Sequence, residues 1–235
     1  MRPLPILLTR PEAQARALAV RLAEAGAGRI VISPLLRIVP VGRLPPAPEA
    51  VLLTSANAVA VWRELGGPRG LPAWVVGYGT ADLARAAGFE LRGVAEDADG
   101  LARLVPDDAP PLVHLRGRVQ RGDLPARLRG RGLSATDAVI YDQVARPLTA
   151  EARQAILGGA VLAPLYSPRT AALLAEMCPP GGLANLRPIA LSEAVAQALP
   201  VPPVATADRP DGASMMRAIL ANLRLSAVEG GGGTV

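Results

Sequence analysis

The chain has 235 residues, half of them apolar, and carries a formal net charge of +5 at pH 7. That length and apolar content are enough to bury a core, in one large or two small domains. All 25 basic residues are arginine and there is one histidine and one cysteine, which excludes a Schiff-base or phosphate-loop lysine and a metal site built from imidazoles and thiolates.

The first elements in chain order are a strand, a helix and a second strand. The apolar run from Ile6 to Thr9 predicts the first strand, and Pro11 suits the first helical position. The helix is predicted by apolar residues at three- and four-residue spacing, namely Ala15, Leu18, Leu22 and Ala25. Gly26 should end it. The strand from Arg29 to Val41 that follows is so long that we expect it to leave one domain and enter another.

A proline-rich connector at 44–48 precedes the next strand, Val51 to Thr54, after which Ser55 should cap a helix. The stretch from Trp74 to Phe89 then predicts a buried strand, a glycine turn and a short helix. Thr80 is expected to cap this helix and Gly88 to end it in a left-handed conformation.

The start of this third predicted helix is a candidate anion site. Gly77 and Gly79 allow the backbone to approach a ligand closely. Free N–H groups and the positive end of the helix dipole can there bind a carboxylate or a phosphate. The alternative is an ordinary strand-to-helix turn, since one glycine-rich turn is a weak signal.

The strand from Leu112 to Arg116 contains the one histidine, His114, which we expect to be satisfied locally, with a role in the site as the alternative. Six arginines lie in and after this strand: Arg116, Arg118, Arg121, Arg127, Arg129 and Arg131. They form either a solvated helix face or a basic wall for a polyanionic small molecule. We expect no nucleic-acid partner, because aromatic residues make up 3% of the chain and the other arginines are scattered.

The second half of the chain repeats the order of the first, with Arg116 aligned to Arg10. A second long strand, Thr136 to Val144, then parallels the one at 29–41. The order A-B-A′-B′ predicts that the chain crosses between domains twice, although chance similarity between α/β segments is the alternative. Domain 1 would comprise 1–36 and 147–225, and domain 2 would be 42–140. Residues 37–41 and 141–146 would be the crossing strands, and 226–235 a disordered tail.

Six motifs in this order resemble uroporphyrinogen-III synthase. They are Leu8-Thr9-Arg10-Pro11, Leu53-Thr54-Ser55-Ala56-Asn57-Ala58-Val59, Val76-Gly77-Tyr78-Gly79-Thr80-Ala81, Val139-Ile140-Tyr141, Tyr166-Ser167-Pro168 and Ala190-Leu191-Ser192-Glu193. The resemblance implies an α/β fold of two flavodoxin-like parallel-sheet domains, joined by a two-stranded antiparallel ladder with the chain crossing twice. It also implies cyclisation of hydroxymethylbilane to uroporphyrinogen III, with inversion of ring D and loss of water. It implies no cofactor and no metal.

The same resemblance implies the site. Thr80 takes the position of the family's threonine and would hydrogen-bond the substrate or its leaving group, unless it only caps the helix. The family's tyrosine after the Ser-Pro motif is replaced here by Leu173, so Tyr166 becomes the second catalytic candidate, with a core role as the alternative. The expected substrate-binding residues are Arg10, Ser55, Asn57, Gly79, Arg116, Arg118, Ser167 and Ser192.

The chemistry of the substrate agrees with these residues. A linear tetrapyrrole carries several carboxylates, which arginines and helix N-termini can bind. Two other functions stay open on the sequence, a flavin- or nucleotide-binding protein and a two-domain solute-binding protein. No apolar run is long enough for a membrane span or a signal peptide. We therefore expect a cytoplasmic protein that does not bind membranes. We also expect a monomer.

Overall fold

Strands and helices alternate along the computed structural model, which describes residues 4–119 and 122–228. The elements in chain order are β1 (Ile6–Leu8), α1 (Glu12–Glu24), β2 (Ile30–Ile32), β3 (Leu36–Pro40), β4 (Ala50–Leu53), α2 (Ala56–Glu64), β5 (Pro72–Val76), α3 (Tyr78–Ala87), β6 (Glu90–Ala95), α4 (Ala98–Leu104), β7 (Leu112–Gly117), α5 (Leu124–Gly130), β8 (Ala135–Ala145), α6 (Ala150–Leu157), β9 (Val161–Leu165), α7 (Pro168–Met177), a 3₁₀ turn (Gly182–Asn185), β10 (Leu186–Ala190), α8 (Glu193–Ala196), β11 (Ala205–Thr206) and α9 (Gly212–Val228).

The chain divides into two compact units. One comprises the chain up to Arg37 together with the chain from Ala145 onward, and the other is Ile38–Val144. The boundaries after Arg37 and after Val144 fall at β3 and at the end of β8. The chain therefore leaves the first unit once and returns to it once.

The first unit contains a sheet with the order β11-β10-β9-β1-β2, and its described pairings are parallel. β1 lies inside this sheet, and its three residues are fully buried. Leu7 belongs to the apolar cluster on one face, whereas Ile6 and Leu8 belong to the cluster on the other. A continuous apolar strand is typical of a parallel sheet that is covered on both faces.

The second unit contains a sheet with the order β3-β8-β7-β4-β5-β6. The pairings from β8 to β6 are parallel. The pairing of β3 with β8 is antiparallel. Val41 N–H donates to the carbonyl of Ile140, while Arg146 N–H donates to the carbonyl of Leu35, so residue numbers fall along one strand as they rise along the other.

The prediction of a single strand from Arg29 to Val41 is wrong. This stretch forms two strands, β2 in the first sheet and β3 in the second, with Ser33 to Leu35 between them. Pro34 lies in this break and has no backbone N–H to donate to a sheet. Its counterpart β8 is continuous over 11 residues.

Two helix ends also differ from the sequence prediction. Thr80 does not cap α3, because the cap residue is Gly77, whose φ of 81° favours glycine, and Thr80 lies inside the first turn. Ala25, which was predicted to lie on the apolar face of the first helix, instead follows α1 and is exposed. The predicted left-handed end of α3 at Gly88 is confirmed, with φ of 93°. Residues 226–228 of the predicted tail lie in α9, and 229–235 are outside the described residues.

The turn after α2 provides a test of packing in the second unit. Trp62 is buried, its indole N–H donates to the carbonyl of Pro68 at 3.2 Å, and its ring lies where a Cβ of Gly67 would be. We expect Gly67→Ala to lower the free energy of unfolding by about 1–3 kcal/mol through overpacking, measured by urea denaturation. Gly130→Ala is the control, since a Cβ there meets no atom within 4 Å, and it should not destabilise the protein.

Candidate functional site

The residues predicted to form the site lie at strand ends. In the first unit, Arg10 follows β1, Tyr166 and Ser167 follow β9, and Ser192 follows β10. These three strands are neighbours in the sheet. Since the carboxyl ends of neighbouring parallel strands meet at one edge, these side chains share that edge.

The second unit has the same arrangement on strands β7, β4 and β5, which are also neighbours. Ser55 and Asn57 follow β4, Gly79 and Thr80 follow β5, and Arg118 follows β7. Arg116 lies one residue before the end of β7. Each unit therefore presents its predicted site residues from three adjacent strands at one sheet edge.

Arg10 and Tyr166 are in contact. The guanidinium carbon of Arg10 lies 4.0 Å from the centroid of the Tyr166 ring, and its Nη2 donates to Gln14 Oε1 at 3.2 Å. Burial lowers the pKa of Arg10 and raises the pKa of Tyr166, and in both cases the other residue opposes the shift. Near neutral pH the pair thus consists of a charged guanidinium stacked on a protonated phenol.

Helices begin directly at these edges. Ser167 Oγ accepts from the N–H of Thr170 at 3.2 Å at the start of α7, and Ser55 Oγ accepts from the N–H of Asn57 at 3.2 Å at the start of α2. Ser192 precedes the short helix α8 and makes no side-chain cap. The first N–H groups of any α-helix lack an intrahelical acceptor, and in α3 these belong to the exposed residues Tyr78 and Gly79. Thr80 follows them and is partly exposed.

A chain of polar side chains crosses three strands of the second sheet. Thr54 Oγ1 lies 3.0 Å from His114 Nε2, and His114 Nδ1 lies 3.1 Å from Asp137 Oδ1. The same Oδ1 accepts from Arg116 Nε at 2.8 Å. The histidine side chain is 6% exposed, against 25% for that of Asp137. Both ring nitrogens of His114 therefore have a side-chain partner within the second sheet.

Burial lowers the pKa of His114, the attraction of Asp137 opposes that shift, and Arg116 adds to it. The histidine is therefore neutral at neutral pH. A neutral imidazole has one N–H and one lone pair. Its two hydrogen bonds here must consist of one that it donates and one that it accepts.

The arginines after β7 have mostly structural partners. Arg129 Nη1 donates to the carbonyl of Ala135 at 2.8 Å, and Arg131 Nη2 donates to that of Val105 at 2.9 Å, while Arg127 pairs with Asp99. These bonds to backbone carbonyls weaken the hypothesis of a basic wall for Arg129 and Arg131. Arg118 directly follows β7, its side chain is 64% exposed, and it pairs with Asp142 at 3.1 Å. Arg121 lies outside the described residues.

Sequence reasoning did not single out Thr54, Asp137 and Asp142, which the structure places in contact with His114, Arg116 or Arg118. The available signal was the acidic residues inside the predicted strand at 136–144, since Asp is depleted in strands. Among the described residues no group of three or more His, Cys, Asp or Glu side chains could hold a metal ion. Within the same ranges, no helix has both the length and the apolarity needed to cross a membrane.

The family model described as uroporphyrinogen-III synthase HemD matches residues 16–217. No curated protein sequence matches the chain. The fold is similar to the crystal structure of uroporphyrinogen-III synthetase from Helicobacter pylori, with a TM-score of 0.66 at 19% identity, covering 94% of this chain and 99% of that one. It is also similar to a mutant uroporphyrinogen III synthase from Thermus thermophilus, with a TM-score of 0.55 at 16% identity and the same coverage.

The buried histidine gives a pH-dependent stability. In the unfolded chain His114 takes up a proton as the pH falls through about 6.5, whereas its lowered pKa keeps the folded form neutral to lower pH. Because the unfolded state then binds more protons, stability should fall on acidification below about pH 6.5. Urea midpoints measured from pH 8 to pH 5 should show this loss, and His114→Gln should flatten it. An equally steep loss in the variant would assign it to other groups.

Proposed function

The chain belongs to the uroporphyrinogen-III synthase family, and we propose that it binds its substrate with the residues at the carboxyl edges of its two sheets. It is a lyase of tetrapyrrole biosynthesis that cyclises hydroxymethylbilane to uroporphyrinogen III, with inversion of ring D and loss of water. The family assignment argues against the two alternative functions, a flavin- or nucleotide-binding protein and a two-domain solute-binding protein. Cytoplasmic location and the monomeric state remain predictions.

The observation that carries the proposal is the grouping of the predicted residues on three adjacent strands in each sheet. The ionised carboxylates of the bilane accept hydrogen bonds, so the protein must supply donors. Arg10 and Arg118 supply guanidinium N–H groups, and the starts of α2, α3 and α7 supply backbone N–H groups and a partial positive charge. Ser55, Asn57, Gly79 and Ser167 belong to these helix starts. Ser192 lies on the third strand of the first sheet.

Arg116 has a different place in the proposal. Its side chain is 18% exposed, its Nε is bonded to Asp137, and its Nη1 donates to the carbonyl of Gly117 at 3.0 Å. Its positive charge is largely neutralised by Asp137. We therefore assign Arg116 an electrostatic and positioning part at the edge and give Arg118 the larger part in binding carboxylates.

Tyr166 is the proposed proton donor to the leaving hydroxyl. Its raised pKa keeps the phenol protonated, and the stacked guanidinium of Arg10 stabilises the phenolate that remains after proton transfer. Thr80, at the start of α3, is the second candidate to hydrogen-bond the leaving group. Holding the bilane folded so that ring D closes in the inverted orientation is the larger task, and positioning of this kind contributes several kcal/mol.

We also propose that the chain forms two flavodoxin-like domains joined by an antiparallel ladder. The support is that each unit has its own parallel sheet. The unit boundaries also fall at β3 and at the end of β8, which pair antiparallel.

The activity itself is tested by the isomer formed. Freshly generated hydroxymethylbilane with the protein should give mainly type III uroporphyrin after oxidation and chromatographic separation, while the bilane without protein should give type I. The activity should survive dialysis and a chelator, since one histidine and one cysteine cannot build an imidazole–thiolate metal site. Type I product in the presence of folded protein contradicts the proposal.

The binding role of Arg118 has a matched control. Arg118 and Arg85 are 64% and 65% exposed, and each pairs with one aspartate, but Arg85 lies near the end of α3, away from the carboxyl edge. Loss of a charged hydrogen bond costs about 1.5 kcal/mol, so Arg118→Ala should raise KM roughly tenfold. Arg85→Ala should leave KM unchanged, and equal effects of the two variants would indicate only a general loss of positive charge.

A further inference from the structure

The polar chain from Thr54 to Arg116 lies on one face of the second sheet. Leu52 is paired with His114, and His114 is paired with Asp137, so these three positions are directly opposite one another. Two residues further along their strands, Thr54 and Arg116 extend on the same face. The preceding positions on this face, Ala50, Leu52, Leu112 and Ala135, belong to one apolar cluster. The face is therefore apolar until the carboxyl edge, where it becomes polar.

The direction of each hydrogen bond in the chain follows from its charged end. Arg116 is a donor only, and an ionised carboxylate is an acceptor only. Asp137 Oδ1 accepts from Arg116 Nε at 2.8 Å, and it must also accept from His114 Nδ1 at 3.1 Å, which places the imidazole proton on Nδ1. Nε2 of the neutral ring then has only a lone pair. The hydroxyl proton of Thr54 must point to it across the 3.0 Å contact.

We propose that Thr54 is a substrate-binding residue whose hydroxyl, with its proton turned inward to His114, accepts a hydrogen bond from a pyrrole N–H of the bilane. Thr54 directly follows β4, precedes the cap residue Ser55 and is partly exposed at the sheet edge. This inference rests on the proposed binding of the bilane at that edge. His114, Asp137 and Arg116 are positioning residues, since they act through Thr54.

The chemistry of the substrate favours a hydrogen bond from a pyrrole N–H to the oxygen of Thr54. The carboxylates of the bilane are acceptors and gain nothing from a second acceptor, whereas its pyrrole N–H groups are donors. The arginines and backbone N–H groups proposed for the edge are donors only, so the oxygen of Thr54 offers the ring nitrogens an acceptor that those groups lack. When the hydroxyl leaves as water, positive charge spreads onto the ring that carried it, and the N–H of that ring becomes a stronger donor. An acceptor fixed in advance thus stabilises the cation more than the ground state.

Protonation of His114 reverses the direction of its hydrogen bond with Thr54. The charged groups that face the ring are Asp137 and Arg116 on the strands and Asp123 at the start of α5. Once Nε2 carries a proton, it donates to Thr54, and the hydroxyl proton turns outward toward the substrate. Two donors then face each other, so kcat/KM should fall on the acidic side as His114 titrates.

The test compares Thr54→Val, Thr54→Ser and wild type in kcat/KM from pH 8 down to the lowest pH at which each protein stays folded, together with the isomer formed. Thr54→Val removes the acceptor with little change in shape and should lower kcat/KM about tenfold at pH 8, as expected for one hydrogen bond to a substrate that becomes charged. It should also lose the acidic decrease attributed to His114. Thr54→Ser should recover most of the activity and the pH dependence. Thr136→Val, on an exposed neighbouring position of β8, should match wild type.

The imidazole itself gives a second readout that needs no variant. Since the chain has one histidine, its ¹⁵N resonances are assigned without ambiguity. At pH 8 the protein alone should show a proton on Nδ1 and a lone pair on Nε2. A methylbilane that lacks the hydroxyl group and does not cyclise should shift the Nε2 resonance in wild type but not in Thr54→Val.

Three outcomes overturn the inference: wild-type kcat/KM in Thr54→Val, an unchanged acidic decrease in that variant, or a proton on Nε2 at pH 8. Each is distinct from failure of the proposed function, which would show as type I product from wild type. If Thr54→Val does not fold, the tautomer of wild type and the activity of Thr54→Ser still decide the question.

Discussion

Parallel pairing of neighbouring strands is the constraint on which the rest of this structure depends. It aligns the carboxyl ends of β10, β9 and β1 in one sheet and of β7, β4 and β5 in the other. Helices begin at the same edge because each follows a strand. Their first backbone N–H groups and the polar side chains after the strands therefore lie together there. Motifs that are far apart in the chain become neighbours because each lies at the end of a strand.

The two edges use arginine differently. In the first unit no carboxylate of a described residue pairs with Arg10, whose guanidinium stacks on Tyr166. In the second unit Arg116 is bonded to Asp137, and its charge orders a chain of hydrogen bonds that ends on Thr54. Arg10 is thus held by an aromatic ring, whereas Arg116 is held by a carboxylate that also bonds His114.

Much of the fold and of the candidate site could be read from local patterns. The helix ends at Ser55 and Gly88, the strand at β8 and the order of motifs depend on residues close in sequence, and the structure agrees with them. The break between β2 and β3 could not be read in this way. A run of apolar residues does not say which sheet each half will pair with, and Pro34 alone did not reveal the break.

The sequence by itself excluded lysine chemistry and an imidazole–thiolate metal site, because the chain has no lysine, one histidine and one cysteine. It also identified the family through motifs in a fixed order. Only the tertiary structure decided which polar groups act together. Thr54 and His114 are 60 residues apart, and His114 and Asp137 are 23 apart, on separate strands. Their contact depends on the register between strands, which is set by the packing of the whole sheet and not by the residues beside them.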